Sequence, residues 1–89
     1  MHPSKEMITT ELKTMLAEDL FVEVPIEHMK DSDSLSTELG VDSVGQIEFV
    51  SLIEERYNLK IDLKQSAAEF KTIGSTADYI LKNLQAAGQ

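Results

Sequence analysis

The chain has 89 residues and a formal net charge of −8, from 16 acidic against 8 basic residues, with 42% hydrophobic residues and no cysteine. That length holds one small domain with a thin core, and the hydrophobic content excludes a disordered chain. The charge argues against nucleic acid and against anionic membrane surfaces as partners, and the missing thiols exclude disulfides and cysteine-ligated metal.

From Ser4 to about Leu20, the residues Ile8, Leu12, Met15, Leu16 and Leu20 recur at steps of three and four. This is one face of a helix, with Ser4 as its N-cap and Pro25 beyond its far end. Upstream, "MHPSKEMITT" has no signal-peptide core, and no apolar run reaches the length of a membrane span, so the expected location is the cytoplasm. Met1 is read as starting a stand-alone protein, one domain over 1–89 that is ordered from about 4 to 85.

Residues 21 to 42 break the period. "FVEVPIEHMK" alternates like a strand, but no second run exists to pair with it. It reads as an ordered loop whose Phe21, Val24, Ile26 and Met29 pack back on helices, joined by Leu35 and Leu39. The second helix opens at "SVGQ", where Ser43 and Gln46 match a capping box. Its stripe is Val44, Ile47, Val50, Ile53 and Tyr57, widened by Phe49 and Leu52, with Glu48, Glu54 and Glu55 facing solvent. Asn58 ends it. A short turn of helix falls near Ser66 to Phe70. A last helix starts at Thr72 or Ser75 and runs to about Gln85 on Ala77, Ile80, Leu81 and Leu84, leaving only "AAGQ" without order. The sum is all-α: a small four-helix bundle of three main helices and one short one, with a long loop between the first two.

The stretch "DSDSLSTELGVDSV", residues 31 to 44, holds three Asp-Ser pairs. As a calcium loop counted from Asp31 it puts Leu35 at position 5 and Ser36 at position 6, where an oxygen ligand and a glycine are needed, so metal binding fails. As plain capping it accounts for Ser43 and Gln46 but not for Leu39-Gly40 upstream. As a site of covalent attachment it places a serine on an exposed corner, where a phosphate would meet free N–H groups and the positive end of the helix dipole.

At this point "LGVDSVGQIEFVSLIEERYNLKI" resembles the region around the modified serine of acyl carrier proteins, and "FKTIGSTADYI" is similar to that family's entry into its last helix. The resemblance runs from the first helix to about Leu84. Asp33-Ser34-Leu35 matches the motif's usual spelling better, but "STELG" follows it with no apolar stripe. The resemblance therefore puts the attachment serine at Ser43, between Asp42 and Val44. It implies a 4′-phosphopantetheine arm, added by a phosphopantetheinyl transferase, whose thiol holds acyl groups as thioesters. It implies a carrier and not an enzyme, serving ketosynthases, acyltransferases or ligases, with monomer as the default state. Glu48, Glu54, Glu55 and Asp42 would then meet basic patches on partner enzymes, although the same glutamates fit an ordinary solvated face. Val44 and Ile47 would lie nearest the arm, at the mouth of the core.

Val44 stands where the fatty-acid carriers of this family have leucine, and Gly45 where they have an acid. With "LFVEVP", these features look more like discrete carriers of polyketide pathways than like a fatty-acid-synthesis carrier. A peptidyl carrier fits less well, since the chain lacks the usual glycine pair and is more acidic. The reading from another class is an unmodified acidic helical docking module. An enzyme has little support: His2 and His28 lie in a tail and a loop, with no nucleophile–base arrangement.

Overall fold

The computed structural model describes residues 3–87. His2 therefore lies outside the described residues. Four α-helices follow in order, α1 (Lys5–Glu18), α2 (Ser43–Tyr57), α3 (Leu63–Glu69) and α4 (Ile73–Ala87), with a 3-10 turn at Ile26–His28 inside the long first loop. The four-helix, all-α expectation holds. Among the described residues the one ladder-like contact is an isolated bridge between Ser34 and Thr72, so "FVEVPIEHMK" forms no strand.

Each helix starts where a side chain can take up its free amides. Ser4 Oγ accepts from Met7 N–H at 3.2 Å and starts α1. Asp62 Oδ1 accepts from Lys64 N–H at 2.8 Å and starts α3 earlier than the Ser66–Phe70 turn read from sequence. At α4 Thr72 is the cap. Its Oγ1 accepts from Ser75 N–H at 3.0 Å, while Ser75 Oγ accepts from Thr72 N–H at 3.0 Å. This reciprocal pair is a capping box with serine in the role of the acid. The helix then continues through Ala86 and Ala87, two residues of the tail expected to lack order; Gly88 and Gln89 lie outside the described residues.

Ile8, Leu12 and Leu16 of α1, Phe49 and Ile53 of α2, and Ile73, Ala77 and Ile80 of α4 are fully buried and form the centre of the core. The buried hydroxyls do not weaken it. Thr76 donates to the carbonyl of the cap residue Thr72 at 2.7 Å, and Thr9 to that of Glu6 at 2.9 Å and Ser66 to that of Leu63 at 2.9 Å within their own helices. The α2 stripe is corrected. Val44 is 72% exposed and Ile47 57%, so of the expected stripe Val50 and Ile53, with Phe49 beside them, form the buried face and the first two residues do not. A three-residue spacing drifts around a helix by about 60° per step, and Val44 and Ile47 fall on its outer side.

Asn58 ends α2 in the left-handed region at φ 54°, with Leu59 N–H reaching the Glu54 carbonyl at 3.1 Å. The far end of α2 is tied to α1 by charge. Glu11 accepts from Arg56 Nη2 at 2.7 Å and from the Tyr57 hydroxyl. Burial works to raise the Glu11 carboxyl, but the hydrogen bonds from Arg56 and Tyr57 and the Arg56 charge outweigh it and hold it below the usual carboxylate range. Burial and the same hydrogen bond push the Tyr57 phenol well up.

After α1 the chain wraps its own end: Val22 N–H bonds to the Leu16 carbonyl at 2.9 Å. Phe21 makes this turn at φ 56° and is 80% exposed. The expectation that it packs back fails, because a left-handed residue at a helix end points its side chain away from the bundle. Val24 and Ile26 are half-buried and Met29, Leu35 and Leu39 are buried, as expected.

Candidate functional site

The segment before α2 is held by backbone bonds to residues distant in sequence. Leu35 N–H bonds to the Lys71 carbonyl at 2.9 Å, and Gly74 N–H to the Asp31 carbonyl at 2.8 Å. Buried Leu35, Leu39 and Val41 anchor this loop in the core. Gly40 turns it at φ 74°, a conformation that costs glycine nothing, and Val41 N–H then closes on the Leu35 carbonyl at 2.7 Å. This sequence of contacts delivers Asp42 and Ser43 to the surface at the start of a helix.

Asp42, not Ser43, is the N-cap of α2: its Oδ1 accepts from Gly45 N–H at 2.7 Å. Ser43 is the first helical residue. The capping box read between Ser43 and Gln46 is therefore absent. Gln46 instead sends its Nε2–H across to the Phe70 carbonyl at 3.2 Å. The pattern in the sequence was displaced by one residue, since aspartate and serine cap equally well and stand side by side. Gly45 has a local reason as well. A Cβ there would lie 3.1 Å from Val41 Cγ1 and 3.3 Å from Asp42 Oδ1, so the smallest residue leaves room for the cap.

Freed from capping, the Ser43 hydroxyl is exposed and makes no hydrogen bond among the described residues. The Ser43 and Val44 amides, at the head of the helix, have no backbone acceptor either. An anionic ester on this oxygen would meet both amides and the positive end of the helix dipole. The Asp42 carboxylate opposes such a group, but its Oδ1 is occupied by Gly45. Ser34 is different. Its Oγ accepts from Thr37 N–H at 3.2 Å and its own N–H bonds to Glu38 Oε1 at 2.8 Å. The better-spelled motif is thus a turn cap.

Beside Ser43 runs an open groove of about 460 Å³ between the Ser34–Ser36 segment, the start of α2, and the junction of α3 and α4 at Ala67, Phe70 and Lys71. A larger groove, about 690 Å³, lies between α1 and the far half of α2, lined by Glu11, Met15, Leu52 and Arg56, without Ser43. The first of these is adjacent to the candidate oxygen and is the one that bears on its chemistry.

The docking candidates divide. Val44, Ile47, Glu48 and Glu55 are all exposed along the outer side of α2. Glu54 is half-buried, and its Oε2 accepts from Ile61 N–H at 2.8 Å, fastening the loop after α2. The expectation of a solvent-facing Glu54 is corrected: this carboxylate is a structural tie. The i to i+7 hydrogen bond behind it crosses a turn, which helical spacing does not reveal. No cluster of histidine and acidic side chains that would hold a metal occurs among the described residues.

Bundle and corner together define a class: a small helical domain with an exposed, unbonded hydroxyl at a helix start. Residues 10–80 match the family model described as the phosphopantetheine attachment site. Acyl carrier proteins of two Porphyromonas gingivalis strains are 42% identical over 52 residues, which is 58% of this chain and 65% of theirs. The match thus spans less than two thirds of those relatives' length. An acyl carrier protein of Cyanidioschyzon merolae is 28% identical over 86 residues, 97% of this chain and 91% of that protein. The solved structure of an acyl carrier protein from Enterococcus faecalis superposes with a TM-score of 0.75 at 21% identity, covering 91% of this chain and 99% of that one, a likeness of fold.

The chain belongs to the acyl carrier protein family. Membership carries one property: the family's prosthetic group is covalently attached 4′-phosphopantetheine. An exposed, unbonded hydroxyl above two free amides fits the phosphate end of that group.

Proposed function

We propose that Ser43 is the attachment residue and that the protein presents acyl groups, held as thioesters, to a series of partner enzymes. The observation that carries this is the Ser43 hydroxyl itself: exposed, without a hydrogen bond, one residue after the Asp42 cap and inside the matched segment. In the loading step a transferase removes the Ser43 proton, and Ser43 Oγ bonds to the pantetheine-bearing phosphorus of coenzyme A. The bond from that phosphorus to the leaving 3′,5′-bisphosphoadenosine breaks. The attached group then supplies the thiol that this cysteine-free chain lacks.

The outer side of α2 is the docking surface in this reading. Val44 and Ile47 give an apolar contact next to Ser43, and Glu48 and Glu55 meet basic side chains on the transferase and on ketosynthases, acyltransferases or ligases. Glu54 adds charge there but is held in place by Ile61. Polyketide or related specialised biosynthesis is the proposed setting, supported by Val44 and Gly45 at positions where fatty-acid carriers of the family have leucine and an acid. The protein acts in the cytoplasm as a monomer. No helix among the described residues is long and apolar enough to cross a membrane.

The test is intact mass after incubation with a broad-specificity phosphopantetheinyl transferase and coenzyme A. Wild type and Ser34→Ala gain one arm and Ser43→Ala gains none. An unmodified wild type that is folded by circular dichroism would leave the acidic docking module as the reading. Loss of the gain only in Ser34→Ala would move the site to the first Asp-Ser-Leu.

A further inference from the structure

The charges around Ser43 fall out of balance once a phosphate ester forms on it. Asp42 precedes it, and a phosphodiester on its oxygen brings a second negative charge one residue away. The head of α2 offers the Ser43 and Val44 amides, which are dipoles and carry no full charge. The chain has 16 acidic and 8 basic residues, and one of the bases stands at this corner. Among the residues lining the groove beside Ser43, Lys71 is the one base and Asp42 the one acid.

Lys71 is fixed by its backbone and left free at its tip. Its carbonyl accepts from Leu35 N–H at 2.9 Å, and the next residue, Thr72, bridges to Ser34. On its other side the Phe70 carbonyl accepts from Gln46 Nε2–H at 3.2 Å. Gln46 follows Ser43 by three residues and shares its face of α2. The junction of α3 and α4 is therefore pinned from two directions beside the face that carries Ser43. The Lys71 side chain is exposed. Lys5, Lys13 and Arg56 are paired with Asp78, Asp31 and Glu11, but Lys71 forms no ion pair among the described residues. Neither Asp42 in the same groove nor Glu69 two residues back engages it.

We propose that the Lys71 ammonium pairs with the phosphodiester of the prosthetic group on Ser43, so that the arm leaves the serine toward the α3–α4 junction and away from the outer side of α2. This rests on the attachment reading of Ser43. The pairing offsets the Asp42 charge and leaves Val44, Ile47 and Glu48 uncovered for partner enzymes. An ammonium acts on a phosphate as a point charge, so arginine at this position keeps the attraction and methionine keeps only the apolar stem.

The experiment loads the full chain with the arm from coenzyme A in wild type, Lys71→Arg and Lys71→Met. Intact mass reports loading. The phosphorus resonance of the attached arm and the thermal midpoint report pairing, each at low salt and at about 1 M salt, where the screening length is only about 3 Å. Amide shifts at Ala67 and Lys71 on one side, and at Ile47 and Glu48 on the other, report the direction of the arm. All three chains are expected to gain one arm. Before loading their midpoints agree within about 1 °C, because the free ammonium touches nothing. After loading, Lys71→Met lies about 2–4 °C below wild type, the scale of an exposed charge pair, and its phosphorus resonance is displaced. Both differences close in high salt, and Lys71→Arg shows neither. Loading moves the Ala67 and Lys71 amides of wild type more than those of Ile47 and Glu48.

Phosphorus resonances that coincide in wild type and Lys71→Met at low salt overturn the proposal, as do loading shifts confined to Ile47 and Glu48. A midpoint gap that is present before loading, or that persists in high salt, makes Lys71 a packing residue and overturns it too. A Lys71→Met chain that takes no arm where wild type does makes Lys71 a transferase contact, with the same consequence. A wild-type chain that gains no mass overturns the attachment reading, and this proposal with it.

Discussion

Removing the Asp42 side chain separates the two ways in which α2 could begin. In the structure Asp42 Oδ1 accepts the Gly45 amide at 2.7 Å, and Ser43 does no capping. Asp42→Ala loses the cap, worth about 1 kcal/mol, and the charge at the helix N-terminus, worth about 0.3–1 kcal/mol. The expected cost is about 1.5 kcal/mol. With a urea slope of about 1 kcal/mol per molar for so small a domain, the midpoint falls by about 1.5 M. Asparagine accepts the same hydrogen bond, so Asp42→Asn loses only the charge and falls by about 0.5 M, a loss that disappears in high salt. Ser43→Ala changes stability by no more than about 0.5 kcal/mol, because its hydroxyl has no partner. Urea unfolding of the unmodified protein at neutral pH, followed by circular dichroism with the slope held common, gives all three numbers. A Ser43→Ala midpoint as low as that of Asp42→Ala would refute the assignment of the cap, and with it the argument that the Ser43 oxygen is free.

The Glu11 carboxyl is held below its ordinary value of 4.5 by Arg56 and Tyr57, so its stabilisation is complete above that value and disappears as the pH falls through the lower folded value. Glu11→Gln should therefore be less stable than wild type at neutral pH, and the gap in urea midpoints should narrow as the pH falls below 4.5. Glu54→Ala removes the acceptor of the Ile61 amide and should cost about 1–2 kcal/mol, with faster hydrogen exchange at Ile61; Glu54→Gln keeps an acceptor and should lose less. Gly74→Ala should destabilise although it adds a better helix former. Its Cβ would sit 3.1 Å from the Asp31 carbonyl oxygen that the same residue's amide grips, and the expected thermal midpoint is several degrees lower, at about 4–8 °C per kcal/mol.

Helix identity was legible wherever a cap stood next to a stripe. Ser4, Asn58 and Thr72 mark ends that the structure keeps, and the faces of α1 and α4 follow from their spacing. The face of α2 was not legible. Its residues are apolar nearly all round, so periodicity alone could not separate exposed Val44 and Ile47 from buried Phe49 and Ile53. That α2 opens at Ser43 was readable from the sequence, but not the reason its oxygen is free, because choosing between adjacent capping residues takes backbone geometry. The Gln46 bond to the Phe70 carbonyl, the Glu54 tie and the outward Phe21 depend on contacts between remote segments or on one left-handed residue, and no local pattern encodes them.

The anchoring of the long loop also bears on how the chain is made. Asp31 and Leu35 rest on the backbone of Gly74 and Lys71, about forty residues later. While those later residues are still inside the ribosome, the loop has nothing to lie against, and Gly40 to Ser43 are not yet held at a helix start. The serine corner is thus one of the last parts of the molecule to take shape during translation. Residues 31 to 43 therefore reach their final positions only once residues 71 to 74 are in place.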